Sequence, residues 1–212
     1  MTQEKLTRRL LEDVVIYSDP GKSELEAQSI ARGRSSRRSN LTPARLPVRP
    51  DVTESDDLQR RVEGYLFYQS ELLDTKQWSA YVELFADDGV YWMPATPDQT
   101  EWLDSPSIFA EDRGLMGIRT RRVMHPNAWS QAPAWGTSHV VGNVVIEAQS
   151  ASQVLVRSRF QMLEIRRDSL RHLAGTYRHS LARVGDDFKI VLQRVDLLNA
   201  QSVFDYVLQV WV

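Results

Sequence analysis

The chain has 212 residues, 42% of them hydrophobic and 25% charged, which is the composition of an ordinary globular protein able to bury one core. A formal net charge of −2 gives no electrostatic reason to expect nucleic-acid binding, and the lack of cysteine excludes disulfides, thiolate zinc sites and cysteine-ligated iron–sulfur clusters. No apolar run approaches the roughly 18–20 residues that span a bilayer, and no secretory signal is evident, so we expect a cytoplasmic protein.

The N-terminal quarter of the chain differs in composition from the rest. Between Gly21 and Pro50 there are seven Arg or Lys against two Glu, with frequent Ser and no aromatic residue. Such a segment cannot bury enough apolar surface to offset its ordering entropy. We therefore predict a basic arm over residues 1–52 and a folded domain over residues 53–212. The arm is either mobile or wraps an acidic neighbouring subunit, and without interleaved aromatics a nucleic-acid tail is the weakest interpretation.

Helices are predicted first in the folded domain. Apolar residues recur at helical spacing over residues 56–73, after a capping sequence at Thr53–Asp56. A short second helix carries Trp78, Tyr81, Val82 and Phe85. We interpret Asp87-Asp88-Gly89 as the turn that ends it, and the run Val90–Met93 as β-prone.

The remaining sequence predicts loops, one further helix and then strands. Residues 94–107 and 125–136 have loop composition, and a third helix is predicted over residues 113–122. Strand patterns follow in four segments: 139–147, 154–165, 173–184 and 188–198. Gly185-Asp186-Asp187 is the predicted hairpin turn between the last two strands. Helices followed by strands predict an α+β fold, with helices packed on one face of a curved antiparallel or mixed sheet.

Candidate catalytic and metal-binding residues are few. The four histidines form no HxxxxH or HExxH pair, and His172 and His179 fall on opposite faces of one predicted strand. No dinucleotide, Walker A or GxSxG motif is present. Asp87-Asp88 is better explained by a turn than by acid–base chemistry, and Glu111-Asp112-Arg113 is as compatible with a structural ion pair as with catalysis.

Several segments resemble the β subunits of aromatic-ring-hydroxylating Rieske dioxygenases. The opening pattern is similar at Phe67–Asp74, Trp78 and Leu84–Pro94, of which Phe85–Pro94 is the most specific part. Further similar residues follow in the family's order over about residues 58–200: Asp112, Arg113, Arg119, Arg121, Arg122, Ser138–Val144, Tyr177–His179, Asp187–Ile190, Arg194 and Val195. Residues 1–50 are not covered by the resemblance.

The resemblance implies a cone-shaped fold shared with nuclear transport factor 2 and scytalone dehydratase. It implies a non-catalytic subunit without a cofactor, assembled with a catalytic α subunit, commonly as α3β3. That α subunit would carry a Rieske [2Fe–2S] cluster and mononuclear Fe(II), supplied with NAD(P)H electrons by a reductase, sometimes through a ferredoxin, for cis-dihydroxylation by O2. On this chain it implies no catalytic or metal-binding residue. The expected organising residues are Arg113, Arg122, His139, Asn143 and Arg194.

Two other functions fit a cone-shaped fold. One is a cofactor-free dehydratase or isomerase, which would need a histidine and a carboxylate to converge inside the cone, with His139 or His179 and Asp112 as candidates. The other is a small-molecule binding module. The fold alone does not decide among these functions, and the Phe85–Pro94 segment favours the dioxygenase subunit.

Overall fold

The computed structural model describes residues 54–103, 105–131, 135–202, 208 and 211–212. The predicted basic arm, residues 1–52, lies outside the described residues. The described part of the chain has the predicted α+β organisation, with helices preceding most of the sheet. No helix within it is long and apolar enough to cross a membrane.

Three helices and six strands make up the described residues. The helices are α1 (Glu54–Asp74), α2 (Trp78–Glu83) and α3 (Arg113–Val123). The strands are β1 (Phe85–Pro94), β2 (Ser107–Asp112), β3 (Trp135–Gln149), β4 (Gln153–Arg166), β5 (Ser169–Val184) and β6 (Asp187–Leu197). They form one sheet in the order β2-β1-β6-β5-β4-β3. Neighbouring strands are antiparallel except β1 and β6, which are parallel, so the sheet is mixed.

The core lies between the helices and one face of this sheet, which we call the inner face. The strand predicted over residues 154–165 alternates between the two faces of the sheet, because Val154, Val156, Phe160 and Met162 are buried whereas Ile165 is exposed. Apolar residues of α1 and α2 join the same core from the other side: Leu58, Val62, Tyr65, Leu66, Leu72, Leu73, Trp78, Tyr81 and Val82. Burial of these side chains is the main favourable term for the fold.

The predicted turn at Asp87-Asp88-Gly89 is wrong, because these residues lie within β1. The register of β1 against β6 shifts between Phe85 and Val90, so they form an irregularity of the strand. A Cβ on Gly89 would lie 2.6 Å from the carbonyl oxygen of Ile190, and only glycine fits this close approach. The sequence also failed to predict β2, whose first residue, Ser107, fell in a predicted loop.

Candidate functional site

Arg113 joins three elements of the fold. One guanidinium nitrogen donates to Asp87 Oδ1 of β1, and the other donates to Glu83 Oε2 of α2, each at 2.6 Å. These partners differ from the ion pair predicted within Glu111-Asp112-Arg113. Because both terminal nitrogens of its guanidinium donate hydrogen bonds, Arg113 fixes the start of α3 against α2 and β1.

The two carboxylates before Arg113 also have structural roles. Asp112 Oδ1 accepts a hydrogen bond from the backbone N–H of Leu115 at 2.8 Å and caps α3. The buried Glu111 pairs with Arg119 and accepts a 3.1 Å hydrogen bond from Trp211 Nε1. The polar groups on this edge of the sheet thereby anchor α3 and the C-terminal Trp211.

His139 pairs with a carboxylate of α1. Its Nδ1 lies 2.6 Å from Asp74 Oδ1, and its backbone N–H donates to Asp74 Oδ2 at 2.8 Å. Thr137 Oγ1 donates to the same carboxylate at 2.8 Å. Burial alone would raise the pKa of Asp74, but the bonds from His139 and Thr137 outweigh it and hold that pKa below its ordinary value. His139 therefore pairs with Asp74 and not with Asp112, the candidate partner in a dehydratase.

Asn143 shapes the backbone of β3. It has a positive φ of 51°, and the β3–β4 register shifts between Gly142 and Val145. Asparagine tolerates the left-handed conformation better than most residues. Its side chain is exposed, so its observed contribution is the strand irregularity itself.

Arg194 fastens the loop after β1 to the sheet. Its Nε donates to Asp196 Oδ1 at 2.8 Å, and its terminal nitrogens donate to the carbonyl oxygens of Gln99 and Pro97. The guanidinium carbon lies 4.5 Å from the centroid of the Trp92 ring. All of these contacts are internal to the chain.

Arg122 differs from Arg113, His139 and Arg194, because its side chain is exposed in the last turn of α3. Its carbonyl oxygen accepts a hydrogen bond from the backbone N–H of His125 at 3.4 Å, but its guanidinium has no hydrogen bond or ion pair to any described residue. Leu115 and Ile118 of the same helix are 47% and 54% exposed. We call Leu115, Ile118, Arg121 and Arg122 the α3 patch. The apolar half of this patch was not predicted from the sequence, because the hydrophobic residues of α3 have only a weak helical periodicity.

His179 lies on the inner face of β5, whereas His172 is exposed, so the prediction of opposite faces is confirmed. Burial lowers the pKa of His179 to about 3. Neither ring nitrogen has a hydrogen-bond partner in the described part of the chain. Over the same residues, no group of three or more His, Asp or Glu side chains could hold a metal ion.

Comparisons with known proteins agree with one another. Residues 69–203 match the model of the family described as "Ring hydroxylating beta subunit". The chain is 30% identical to the small oxygenase component of the p-cumate 2,3-dioxygenase system of Pseudomonas putida, over 72% of this chain and 85% of that protein.

Solved structures show the same similarity. The β subunit of benzoate 1,2-dioxygenase from Burkholderia mallei ATCC 23344 is 26% identical, with a TM-score of 0.59 over 74% of this chain and 99% of that chain. A putative scytalone dehydratase from Novosphingobium aromaticivorans DSM 12444 is 18% identical, with a TM-score of 0.52 over 68% of this chain and 85% of that one. The latter likeness concerns the fold alone and confirms the predicted cone-shaped class.

Proposed function

The chain belongs to the ring-hydroxylating β-subunit family, and from this premise we propose that it is the small structural subunit of a multicomponent aromatic-ring-hydroxylating dioxygenase. The observation that carries the proposal is the family match over residues 69–203, which takes in most of the described fold. Relatives along that length are named as subunits of toluate, benzoate and p-cumate dioxygenases. This chain would act in the same class of aromatic oxidation.

The partner in this proposal is a catalytic α subunit, in an α3β3 assembly. A Rieske [2Fe–2S] cluster would be held by that subunit, because this chain has no cysteine for the thiolate half of a Rieske ligand set. The mononuclear Fe(II) would be held there as well. A reductase, with or without a ferredoxin, would deliver NAD(P)H electrons to the complex. The complex would catalyse the O2-dependent cis-dihydroxylation of an aromatic ring.

We place a contact for the α subunit at the α3 patch. Leu115 and Ile118 offer exposed apolar area, and Arg122 offers a guanidinium that no described residue engages. Arginine is enriched in protein interfaces because its planar fork makes directed contacts with carboxylates and stacks on aromatic rings. An α-subunit surface that combines apolar and acidic side chains would complement this patch.

The other organising residues support that surface from within. Arg113 ties α3 to Glu83 and Asp87, which sets the direction in which α3 presents its patch. His139 and Arg194 hold other parts of the sheet through the contacts described above, and Asn143 forms the irregularity of β3. Their role in this proposal is to keep one rigid shape for docking, which lowers the ordering cost of association.

The basic arm, residues 1–52, would wrap an acidic part of the α subunit. Its support is charge, since the segment Gly21–Pro50 carries a clear excess of Arg and Lys. A chain that begins at residue 53 should still fold but should bind the α subunit more weakly, and increasingly so at low salt, where the arm contributes most. Equal affinity of both forms at low salt would contradict a role for the arm.

Reconstitution tests the proposal as a whole. The α subunit encoded beside this chain should yield an active oxygenase when both chains are co-expressed, and little active complex when this chain is omitted. Arg122→Glu should reduce co-purification, whereas Arg60→Glu, at an exposed position of α1, should not. Full oxygenase activity of the α subunit alone would overturn the proposal.

A further inference from the structure

Four buried polar atoms without a partner lie together on the inner face of the sheet. They are both ring nitrogens of His179, the hydroxyl of Ser158 and the amide nitrogen of Gln193. Each side chain is at least 98% buried, and none of the four atoms has a hydrogen-bond partner among the described residues. Buried polar groups in folded proteins are nearly always hydrogen-bonded, so a concentration of exceptions at one place calls for a physical cause.

Strand register brings these side chains to neighbouring positions. His179 of β5 is paired directly with Gln193 of β6, and Ser158 of β4 is paired with Tyr177, two residues before His179. Directly paired side chains have Cβ atoms about 5 Å apart, and diagonal neighbours lie about 7–8 Å apart, within reach of long side chains. Alternation along each strand directs all three polar side chains toward the core.

Gln69 and Tyr81 border the cluster at Gln193, and Tyr177 borders it at His179. Gln193 Oε1 accepts hydrogen bonds from Gln69 Nε2 at 2.6 Å and from the Tyr81 hydroxyl at 2.8 Å, so the carbonyl end of the amide is satisfied. Its amide nitrogen remains as a free donor. The Tyr177 ring meets the His179 ring edge-on, with centroids 5.7 Å apart.

The free groups are complementary to an uncharged molecule. At neutral pH His179 is uncharged, because burial lowers its pKa to about 3, so it offers one N–H donor and one nitrogen acceptor. Ser158 can donate and accept, and Gln193 can donate. A bound ion would need an opposite charge at the cluster, and none of these three side chains supplies one.

We propose that Ser158, His179 and Gln193 form a buried binding site for a small uncharged molecule that both donates and accepts hydrogen bonds. Ordered water is the smallest such molecule, and a buried water typically makes about three hydrogen bonds to groups that would otherwise be unsatisfied. A small alcohol or phenol shares this chemistry. The site is independent of α-subunit binding, since it lies in the core rather than on the α3 patch.

A crystal structure of the full-length chain, at a resolution that shows ordered water, tests the proposal. We expect density within hydrogen-bonding distance of a His179 ring nitrogen and of Gln193 Nε2. A single peak would identify the source as solvent, and extended density, with an organic molecule of matching mass released on denaturation, would identify an organic ligand. Either result supports the site. No density, with the ring nitrogens bonded to protein atoms or packed against carbon, would overturn it.

Solution NMR gives a second test that does not depend on crystals. With 15N-labelled histidine, the two ring nitrogens of His179 should show the shifts of one fixed neutral tautomer with hydrogen-bonded nitrogens. Ser158→Ala removes a single oxygen from the site and should change those shifts, whereas Ser180→Ala, at the residue after His179 on β5, should change them less. Shifts of a non-bonded imidazole, or shifts unaffected by Ser158→Ala, would contradict the proposed site.

Discussion

His139 Nδ1 lies 2.6 Å from Asp74 Oδ1, and this contact joins the end of α1 to β3 across 65 residues of chain. The His139 backbone N–H and the Thr137 hydroxyl donate to the same carboxylate. Asp74 therefore accepts three hydrogen bonds from one strand. The arrangement fixes the position of the first helix over the edge of the sheet.

Replacing Asp74 with Asn should destabilise the fold by about 2 kcal/mol, because hydrogen bonds to a charged acceptor are lost or weakened. The folded-state pKa of Asp74 lies below its ordinary value. Its contribution is therefore fully present above the unfolded-state pKa of about 4, and is lost as pH falls through the folded-state value. Urea denaturation of both proteins at pH 7 and in acid measures the difference.

Asp57→Asn, at an exposed position of the same helix, serves as the control and should change stability little. If Asp74→Asn and Asp57→Asn have equal effects at pH 7, the contact between α1 and β3 does not contribute as described.

The free energy of unfolding should decrease as the pH is lowered below about 6.5, and His179 should account for part of this decrease. Its pKa is about 3 in the folded protein and near 6.5 when unfolded, so between these values only the unfolded chain binds the proton. The His179 contribution is complete above pH 6.5 and declines toward pH 3, with about 2 kcal/mol lost at pH 5. Wild-type protein should therefore show a steeper decline of unfolding free energy with acid than His179→Gln.

The exposed His172, on the same strand, provides the matched comparison. His172→Gln should keep the wild-type slope over pH 5–7. The same slope in all three proteins would show that His179 is accessible to protons in the folded state.

Gly175→Ala should destabilise the protein by about 3 kcal/mol, because overpacking a core forces backbone shifts. A Cβ at Gly175 would lie 2.1 Å from the carbonyl oxygen of Asp196 and 2.9 Å from the Phe160 ring. Gly142→Ala is the control, since a Cβ there meets nothing within 4 Å. Thermal unfolding compares the two variants, and similar melting temperatures would argue against close contact of β5 and β6 at Gly175.

Arg194→Lys should loosen the loop that follows β1. Lysine keeps the charge but cannot reach Asp196 and the carbonyl oxygens of Gln99 and Pro97 together, nor stack as a planar group on Trp92. We expect faster proteolysis within residues 95–103, with the unfolding free energy lower by about 1 kcal/mol. Arg60→Lys on the exposed face of α1 should leave the cleavage rate unchanged. Unchanged cleavage in Arg194→Lys would indicate that other contacts hold the loop.

Local pattern predicted those parts of the fold that depend on neighbouring residues. The alternation of apolar and polar residues around Phe160 and the turn residues at Gly185 identified β4, β5 and β6. Strand periodicity and turn preference depend only on residues a few positions apart. The same reasoning failed at Asp87-Asp88-Gly89, where aspartates and glycine suited a turn but the pairing with β6 extended the strand through them. Tertiary pairing overrode the local preference.

The contacts of the site residues could not be predicted from spacing. Asp74 is the partner of His139, although the sequence analysis considered Asp112, and Arg113 bonds to Glu83 and Asp87 rather than to its neighbours. Such pairs depend on which elements pack together, and nothing in the local sequence encodes them. The inner-face cluster was missed because Ser158 and Gln193 have no motif, and strand register alone brings them beside His179.

Size-exclusion chromatography with light scattering, on this chain co-expressed with the α subunit encoded beside it, would show whether the two chains assemble. We expect one coloured complex that contains both chains and has the mass of an α3β3 assembly. The Arg122→Glu variant should give a complex of lower mass. A colourless monomer or homo-oligomer of this chain, eluting apart from an intact and active α subunit, would contradict the claim that it is a structural subunit of the oxygenase.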